Sequence, residues 1–434
     1  MTSNQKFLKG KRILITSYSY AMFGGAELNA VELAEQLIKF GAKVDFFSYD
    51  IEGPLAEFIN KKFNTTVIVD SVNKLAEDDS EKELKNIRFN ISDYDYIWVG
   101  GNTIPLSIIK QINTAKKLPK FIFVHMSPLI AFPLDAPLMP EFEKKIASRI
   151  LSISEHTTNE CIYRILGKNI PLGKWHNPVP EEFRFLEKRR GELRKIAVIS
   201  SSYPTDEVMV IKTEIEKQGM EIDYIGKYND NVKVVDASFY DKYDLIIGVG
   251  KNVKYSLVSG VPVYVYGRFN GPGYLNKKNY SLNEKMNFSG RGFDKKTSSQ
   301  IINEIIKGYD KALEYHEKNR EKFIQEFSID IVAENLFKEL ENEKPKRVNF
   351  SDEYINWLVS MQLCLMKARK AAGSSRRKAD RMDILKEKLN IFKTKIAQRD
   401  VQIAQLKTEL DSHLNIKRSA RLLVGNIKRK IKQG

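Results

Sequence analysis

The feature that most constrains the fold is a pattern of short apolar strands and helices that starts twice. β-rich apolar runs occupy residues 12–16, 43–48, 65–69, 95–99 and 120–125. Helical stretches of roughly 10–15 residues separate them, the spacing typical of βαβ units. This alternation predicts a parallel sheet that is covered by helices on both faces.

The pattern restarts at residues 195–200. Further strands are predicted at 222–226, 232–236, 244–248 and 262–266. A Tyr-Asp pair precedes an apolar strand ending in glycine in both halves, at 94–100 and 243–248. We therefore predict two similar Rossmann-type α/β domains joined near 177–194, with a helix at 329–343 closing the second. One large continuous sheet is the alternative.

The chain divides into five predicted segments, which differ in charge and in periodicity. They are an N-terminal Rossmann-like domain (10–185), a C-terminal Rossmann-like domain (190–344), a helix with a basic linker (351–378), a coiled coil (379–414) and a basic amphipathic tail (415–434). Residues 346–434 hold 22 of the 71 Lys and Arg and 8 of the 55 Asp and Glu, so they carry +14 of the net +16. This asymmetry predicts an anionic partner for the C-terminal part.

The coiled coil is predicted from positions that alternate in steps of three and four. These positions are Met382, Leu385, Leu389, Phe392, Ile396, Arg399, Ile403, Leu406, Leu410 and His413. We expect a homo-oligomer through this seam. A helix packed on its own domain is the alternative.

The tail after residue 415 contains no acidic residue, and its apolar positions fall on one helical face. Its basic residues are Lys417, Arg418, Arg421, Lys428, Arg429, Lys430 and Lys432. The pattern indicates docking on an anionic membrane surface. A solvated basic tail is the alternative, and nucleic-acid binding ranks last because no aromatic residue is present for base stacking.

Cysteine content and hydropathy bear on the compartment. Cys161 and Cys364 are the two cysteines of the chain, which favours a reducing environment. The N-terminal residues lack an apolar signal-peptide core, and no run reaches the roughly 18 apolar residues of a membrane span. We expect a cytoplasmic protein, peripheral on the inner face of the cell membrane.

The first candidate binding element is the glycine turn between the first strand and the first helix. Gly24, Gly25 and Ala26 would let a ligand approach the amide groups at the start of this helix, followed directly by Glu27. Such a turn suits a phosphate or sugar hydroxyls. A plain tight turn is the alternative.

These residues, with Asn29–Ala34 after them, resemble the N-terminal domain of GT-B glycosyltransferases of the retaining, glycogen-synthase-like branch. Residues 243–251 and 259–264 resemble the donor-side strand, helix and Gly-x-Pro-Val strand of that superfamily. The continuation 268–275 resembles a bacterial subset that builds cell-surface polysaccharides. The resemblance covers residues 10–344 and implies a GT-B-like fold of two facing Rossmann-type domains.

The chain departs from the pattern of that superfamily at the donor site. Ile247 and Tyr255 stand where a pair of glutamates commonly flanks the donor sugar, and residues 200–204 replace the usual Arg/Lys pair. Lys251, at the start of a helix, is the expected substitute that binds the diphosphate, and an exposed surface lysine is the alternative. The predicted donor-binding set is Ser201, Lys227, Gly250, Lys251, Arg268, Gly271, Pro272, Gly273 and Tyr274. Residues 271–273 are expected to form a loop near the sugar, with a structural turn as the alternative.

His125 follows the strand 121–124, at the edge where parallel strands face a ligand crevice. The resemblance implies that a histidine near this position hydrogen-bonds the donor sugar. A core histidine is the alternative. His125 and Glu27 are the predicted catalytic residues.

The predicted function is transfer of a hexosyl or deoxyhexosyl group from a nucleotide-sugar to a glycan or lipid-linked glycan acceptor, in bacterial cell-surface polysaccharide synthesis. No metal or other cofactor is expected. The alternative is a catalytically silent GT-B-like partner, or a membrane scaffold, of another glycosyltransferase.

Overall fold

A computed structural model describes residues 6–20, 24–51, 53–65, 67–69, 90–129, 136–186, 191–200, 204–226 and 235–368, with residues 371, 399, 403–408, 421, 424 and 425. The few described residues after 368 are helical and exposed. Most of the predicted coiled coil and tail therefore lies outside the described residues. Within the described part, no helix combines the length and apolar character that crossing a bilayer requires.

The first domain contains a seven-stranded sheet in which every neighbouring pair is parallel. The strand order is β3-β2-β1-β4-β5-β6-β7. The strands are β1 (Arg12–Ser19), β2 (Lys43–Asp50), β3 (Ile68–Val69), β4 (Tyr96–Gly100), β5 (Lys120–His125), β6 (Ala147–Ser152) and β7 (Leu172–Lys174). The predicted runs at 12–16, 43–48, 95–99 and 120–125 are thus confirmed as strands.

Helices cover both faces of this sheet. Their apolar side chains and those of the strands form two buried clusters. They are α1 (Gly25–Lys39), α2 (Pro54–Phe63), α3 (Leu106–Gln111), α4 (Pro140–Ile146), α5 (Glu155–Thr157) and α6 (Tyr163–Leu166), the last two joined by a π-helical turn (Thr158–Ile162). The strands read as continuous apolar runs because both of their faces are buried.

The second domain contains a separate five-stranded sheet of order β12-β11-β10-β8-β9. Its strands are β8 (Lys195–Ile199), β9 (Glu221–Ile225), β10 (Leu245–Gly248), β11 (Val263–Gly267) and β12 (Asn270–Tyr274). Two sheets exclude the single-sheet alternative and confirm two Rossmann-type domains, the GT-B-like architecture. The strand predicted at 232–236 lies mostly outside the described residues.

The prediction of a loop at 271–273 is wrong, because these residues belong to β12, which runs antiparallel to β11. Gly271 and Gly273 allow this close pairing, since a Cβ at either position would overlap the Val265 carbonyl oxygen or the Tyr264 ring. Pro272 is tolerated because β12 is the edge strand of the sheet.

The helices of the second domain are α7 (Asp206–Met209), α8 (Ile211–Lys217), α9 (Ala237–Tyr240), α10 (Lys251–Ser259), α11 (Tyr280–Lys285) and α12 (Ser298–Phe327). The chain then returns to the first domain through α13 (Ile329–Glu341) and a helix at 352–368, here α14.

The prediction that the helix at 329–343 closes the second domain is also wrong. Ala333, Phe337 and Leu340 of α13 are buried among residues of α1, β1 and β4 in a core cluster of the first domain. Phe350 and Leu358 likewise pack with the first domain, against the face formed by α3 and α4. An amphipathic stripe predicts that a helix is buried, but it does not specify against which domain.

Candidate active site at the seam between the two domains

The interdomain seam is built around the first turn of α10. The strand β10 ends at Gly248, and Gly250 precedes the helix with a φ of 63°, a left-handed conformation that glycine adopts without strain. No side chain of the described residues caps α10, and the Gly250 amide donates to the Phe288 carbonyl at 2.9 Å. The first-turn amides and the positive end of the helix dipole therefore lie at the carboxyl edge of the second sheet.

Lys251 connects α10 to the first domain. Its ammonium group forms an ion pair with Glu32 of α1, and the Tyr255 hydroxyl donates to the other Glu32 oxygen. The side chains of Lys251 and Glu32 are 9% and 11% exposed. Burial raises the pKa of Glu32 and lowers that of Lys251, while each charge partly offsets the shift of the other. Lys251 is thus at the predicted place, but a carboxylate of the protein is its partner.

Lys254 lies one turn further along α10 and is a second buried cation. Its Nζ donates to Asn287 Oδ1 at 2.6 Å and lies 5.7 Å from the centre of the Phe288 ring. Burial, followed by the charge of Lys251, lowers the pKa of Lys254 to about 7. No carboxylate forms an ion pair with Lys254 within the described ranges. The ammonium form is therefore poorly compensated, and a bound anion would stabilise it.

A cluster of titratable residues lies next to Lys254, where the chain crosses between the domains. His176, Glu284 and Glu326 offer ligand atoms within 4.8 Å of one another, and the Tyr280 hydroxyl donates to Glu326 at 3.1 Å. Burial, then the charge of Glu284, raises the pKa of Glu326 to about 7. Burial, then the charge of Lys254, lowers the pKa of His176 to about 3, which keeps its ring neutral.

These three side chains have the donor types and spacing that a divalent cation could use. Lys254, however, supplies a positive charge beside them, since its pKa responds to both carboxylates. The arrangement is a hydrogen-bonded charge cluster at the hinge between the domains.

The glycine turn of the first domain leads into α1, which, like α10, has no side-chain cap among the described residues. Gly24 is the residue before α1, and no described side chain caps that helix. The first-turn amides of Gly25 and Ala26 are exposed, and Glu27 is half-buried with Tyr20 nearby. This turn presents backbone donors and one carboxylate, as predicted for a ligand-binding element.

His125 ends β5, as predicted, but its side chain is only 1% exposed. Its Nε2 lies 2.6 Å from Oε1 of Glu143 on α4, which is equally buried. The prediction of direct contact with a sugar is therefore corrected: in this structure His125 is a core histidine paired with a carboxylate.

The other predicted donor residues have contacts of their own. Tyr274 donates to the Ile305 carbonyl at 3.0 Å, and the Pro272 carbonyl accepts from Lys296 at 3.0 Å, so β12 makes structural contacts with its own domain. Arg268 is exposed beside Phe269. Ser201 and Lys227 lie outside the described residues.

Sequence reasoning missed the carboxylates and the second lysine of this site. The missed residues are Glu32, Glu143, Lys254, Glu284 and Glu326. Glu32 lies 219 positions from Lys251, and no local pattern links them. Lys254 had one usable signal, because it follows Lys251 by three positions and so shares its helix face.

No protein-family model matches the chain, and no curated protein matches it. Solved structures that resemble it include a glycosyltransferase from Rickettsia africae, with 13% identity, coverage of 77% of this chain and 99% of that one, and a TM-score of 0.48. An α-glucosyltransferase in complex with UDP-glucose and DNA has 10% identity, coverage of 76% and 99%, and a TM-score of 0.45. A UDP-N-acetylglucosamine 2-epimerase has 11% identity, coverage of 79% and 100%, and a TM-score of 0.44.

Proposed function

We propose that this chain is a glycosyltransferase that binds a nucleotide-diphosphate sugar at the first turn of α10. The observation that carries the proposal is the pair Lys251 and Lys254, both buried, at a helix start that faces the other domain. Among the described residues, Glu32 is the one carboxylate that forms an ion pair with either lysine, and Lys254 contacts an amide oxygen, so a diphosphate would supply the anionic partner that Lys254 lacks. The uncapped amides of the same turn add hydrogen-bond donors for its oxygens.

Binding would exchange one partner of Lys251 for another. The diphosphate displaces Glu32 from the ammonium group, and Lys254 gains an anion in place of an amide oxygen. Because burial lowers the pKa of both lysines, a dianion there would raise these values again. The free energy regained by the two cations contributes directly to affinity.

In the transfer step, residues of the second domain stabilise the negative charge of the leaving group. An acceptor hydroxyl attacks the anomeric carbon, the bond from that carbon to the diphosphate oxygen breaks, and the nucleoside diphosphate leaves with the electron pair. Lys251, Lys254 and the helix dipole stabilise its charge. The acceptor proton passes to Glu27, beside the amides of Gly25 and Ala26. His125 is a positioning residue of the first domain, since it pairs with Glu143 beneath the surface.

A nucleotide-binding partner protein without transferase activity is the second candidate. The observation that favours it is that Lys251 and His125 each have a carboxylate of the protein as partner, Glu32 and Glu143. In this case the chain binds nucleotide but does not turn over the sugar.

The test combines a nucleotide-sugar screen by thermal shift with a turnover assay. We expect at least one nucleoside-diphosphate sugar to raise the Tm and to be consumed, and Lys251→Met to lose both effects. Lys212→Met is the matched control, because Lys212 pairs with Glu216 on the exposed surface of the same domain. Binding without turnover would favour the partner protein. Identical binding by Lys251→Met and the wild type would refute the site.

We propose further that the acceptor is a membrane-associated glycan, that residues 379–414 form a homo-oligomeric coiled coil, and that the tail docks on the inner face of the cell membrane. The charge of +14 in residues 346–434 supports the docking, at about 1 kcal/mol for each basic side chain near an anionic surface. Co-sedimentation with phosphatidylserine-containing vesicles should be lost when residues 416–434 are deleted, and unchanged binding would refute it. Truncation at residue 378 should reduce the number of chains per particle, as measured by mass in solution, and an unchanged number would refute the coiled coil.

A further inference from the structure

Two arginines share one exposed aromatic ring beside the first turn of α10. Phe269 lies in the turn between β11 and β12 and is 41% exposed. The Arg291 guanidinium lies 3.6 Å from the centre of this ring, and the Arg268 guanidinium lies 5.6 Å from it. These three side chains are here named the arginine pair site.

Backbone contacts fix this site relative to α10. Gly290 has a φ of 83°, and a Cβ there would overlap the Asn270 carbonyl oxygen, so the loop of Arg291 lies directly on the hairpin turn. The Asn270 amide side chain donates to the Phe293 carbonyl at 3.1 Å. In the same loop, the Phe288 carbonyl oxygen accepts a hydrogen bond from the Gly250 amide. The hairpin, the loop and the start of α10 therefore form one framework.

The arginine pair site has positive charge without a matching carboxylate. Neither Arg268 nor Arg291 forms an ion pair with any described residue. Burial, then the charge of Arg268, lowers the pKa of Arg291. Burial, then the charge of Arg291, lowers the pKa of His156 in α5, so the site reaches the first domain as well. Mutual repulsion of this kind is relieved by an anion that binds between the cations.

Stacking also decides which ligand geometry fits. A guanidinium that lies on an aromatic face keeps its N–H donors in its own plane, pointing past the ring. Those donors match two oxygens of one phosphoryl group, in a bidentate contact that a lysine cannot make. The contact of Arg291 with the Phe269 ring is present before a ligand arrives, so less rotamer entropy is lost on binding.

We propose that Arg268 and Arg291 bind a phosphoryl group at the seam, in addition to the diphosphate assigned to α10. The anion could be the acceptor's own phosphate or diphosphate, or a phosphate of the nucleotide. Only the identity of the molecule that carries it rests on the proposed function. The anion site itself follows from the charges, the stacking and the framework.

Isothermal titration of the full chain with inorganic diphosphate tests this site at low salt. The wild type should show two diphosphate sites, and Arg268→Gln/Arg291→Gln should show only one, since the α10 site remains. Arg291→Lys should recover only part of the affinity of the lost site. Arg164→Gln is the control, since Arg164 pairs with Glu160 on the exposed surface of the first domain. The same number of sites, with the same affinities, in the double variant and the wild type, with unchanged Tm and circular dichroism, would overturn the proposal.

Repeating the titration with saturating nucleoside diphosphate shows whether the phosphoryl group belongs to the acceptor or to the nucleotide. If diphosphate still binds, and the double variant loses it, the site takes a phosphorylated acceptor. If the nucleotide blocks diphosphate, and the double variant binds nucleotide more weakly, the site takes the phosphates of the nucleotide. A failure of the α10 site would appear separately, as nucleotide binding that Lys251→Met leaves unchanged.

Discussion

Replacing Glu32 by Gln tests how the two domains are held together and what the diphosphate must displace. The substitution leaves Lys251 buried beside a neutral amide, while the hydrogen bond from Tyr255 can persist. Two unit charges at about 4 Å interact by about 4 kcal/mol at an effective dielectric constant of 20. Removing one partner of a buried pair costs about 3–5 kcal/mol. Since the amide keeps part of the contact, we expect the free energy of unfolding to fall by about 3 kcal/mol.

The same substitution should improve nucleotide binding. In the wild type a diphosphate must compete with Glu32 for Lys251, and in Glu32→Gln that competition is gone. We expect roughly tenfold tighter binding, because 1.4 kcal/mol of the lost ion pair suffices for a factor of ten. Denaturant unfolding and isothermal titration with UDP, ADP and GDP measure the two effects.

Glu35→Gln is the matched control for this experiment. Glu35 lies on the same helix and pairs with the partly exposed Lys62, so its loss should change stability by less than about 1 kcal/mol. The reasoning is refuted if Glu32→Gln and Glu35→Gln unfold alike, or if Glu32→Gln binds nucleotide no better than the wild type.

Three further substitutions test other parts of the account. The pKa of Lys254 is lowered to about 7 from 10.5, so between these pH values the unfolded chain binds more protons than the folded one and stability rises with pH. Lys254→Met should lower the slope of the free energy of unfolding against pH by about 1 kcal/mol per pH unit. Denaturant titrations at several pH values measure this slope, and an unchanged slope would contradict the prediction. Gly290→Ala should cost about 3 kcal/mol through its positive φ and the overlap with Asn270, whereas Gly219→Ala, with φ of 79° and open space around it, should cost about 1 kcal/mol; equal losses would argue against the framework. His125→Phe should lower the free energy of unfolding by about 3 kcal/mol, since it leaves Glu143 buried without this partner; wild-type stability would show that the contact between His125 and Glu143 contributes little to the fold.

The strands β1, β2, β4 and β5 were predictable because each contains a short apolar run whose signal is local. β5 is predicted to within one residue, since both of its faces are buried and every position favours a strand. β12 was not predictable in the same way. Asn270–Tyr274 has the composition of a turn, and only the close approach of β11 makes its glycines necessary in a strand.

The placement of single residues was predictable, but their partners were not. Lys251 was expected at a helix start, and it is there. Its partner Glu32 lies on an amphipathic helix among other polar residues, where nothing in the sequence marks it. The same holds for His125. Its position at the end of a strand predicts a place in a ligand crevice, whereas its partner in the structure is the buried carboxylate of Glu143 on α4. Pairings of this kind depend on how elements meet in space.

The affinity of the full chain for a nucleoside diphosphate, compared with its affinity for the corresponding nucleoside, tests the central claim most directly. If Lys251 and Lys254 bind the diphosphate, the nucleoside should bind at least a hundredfold more weakly, and Lys251→Met should remove most of that difference. Equal affinities for the two ligands, or no binding of either by the wild type, would contradict the claim.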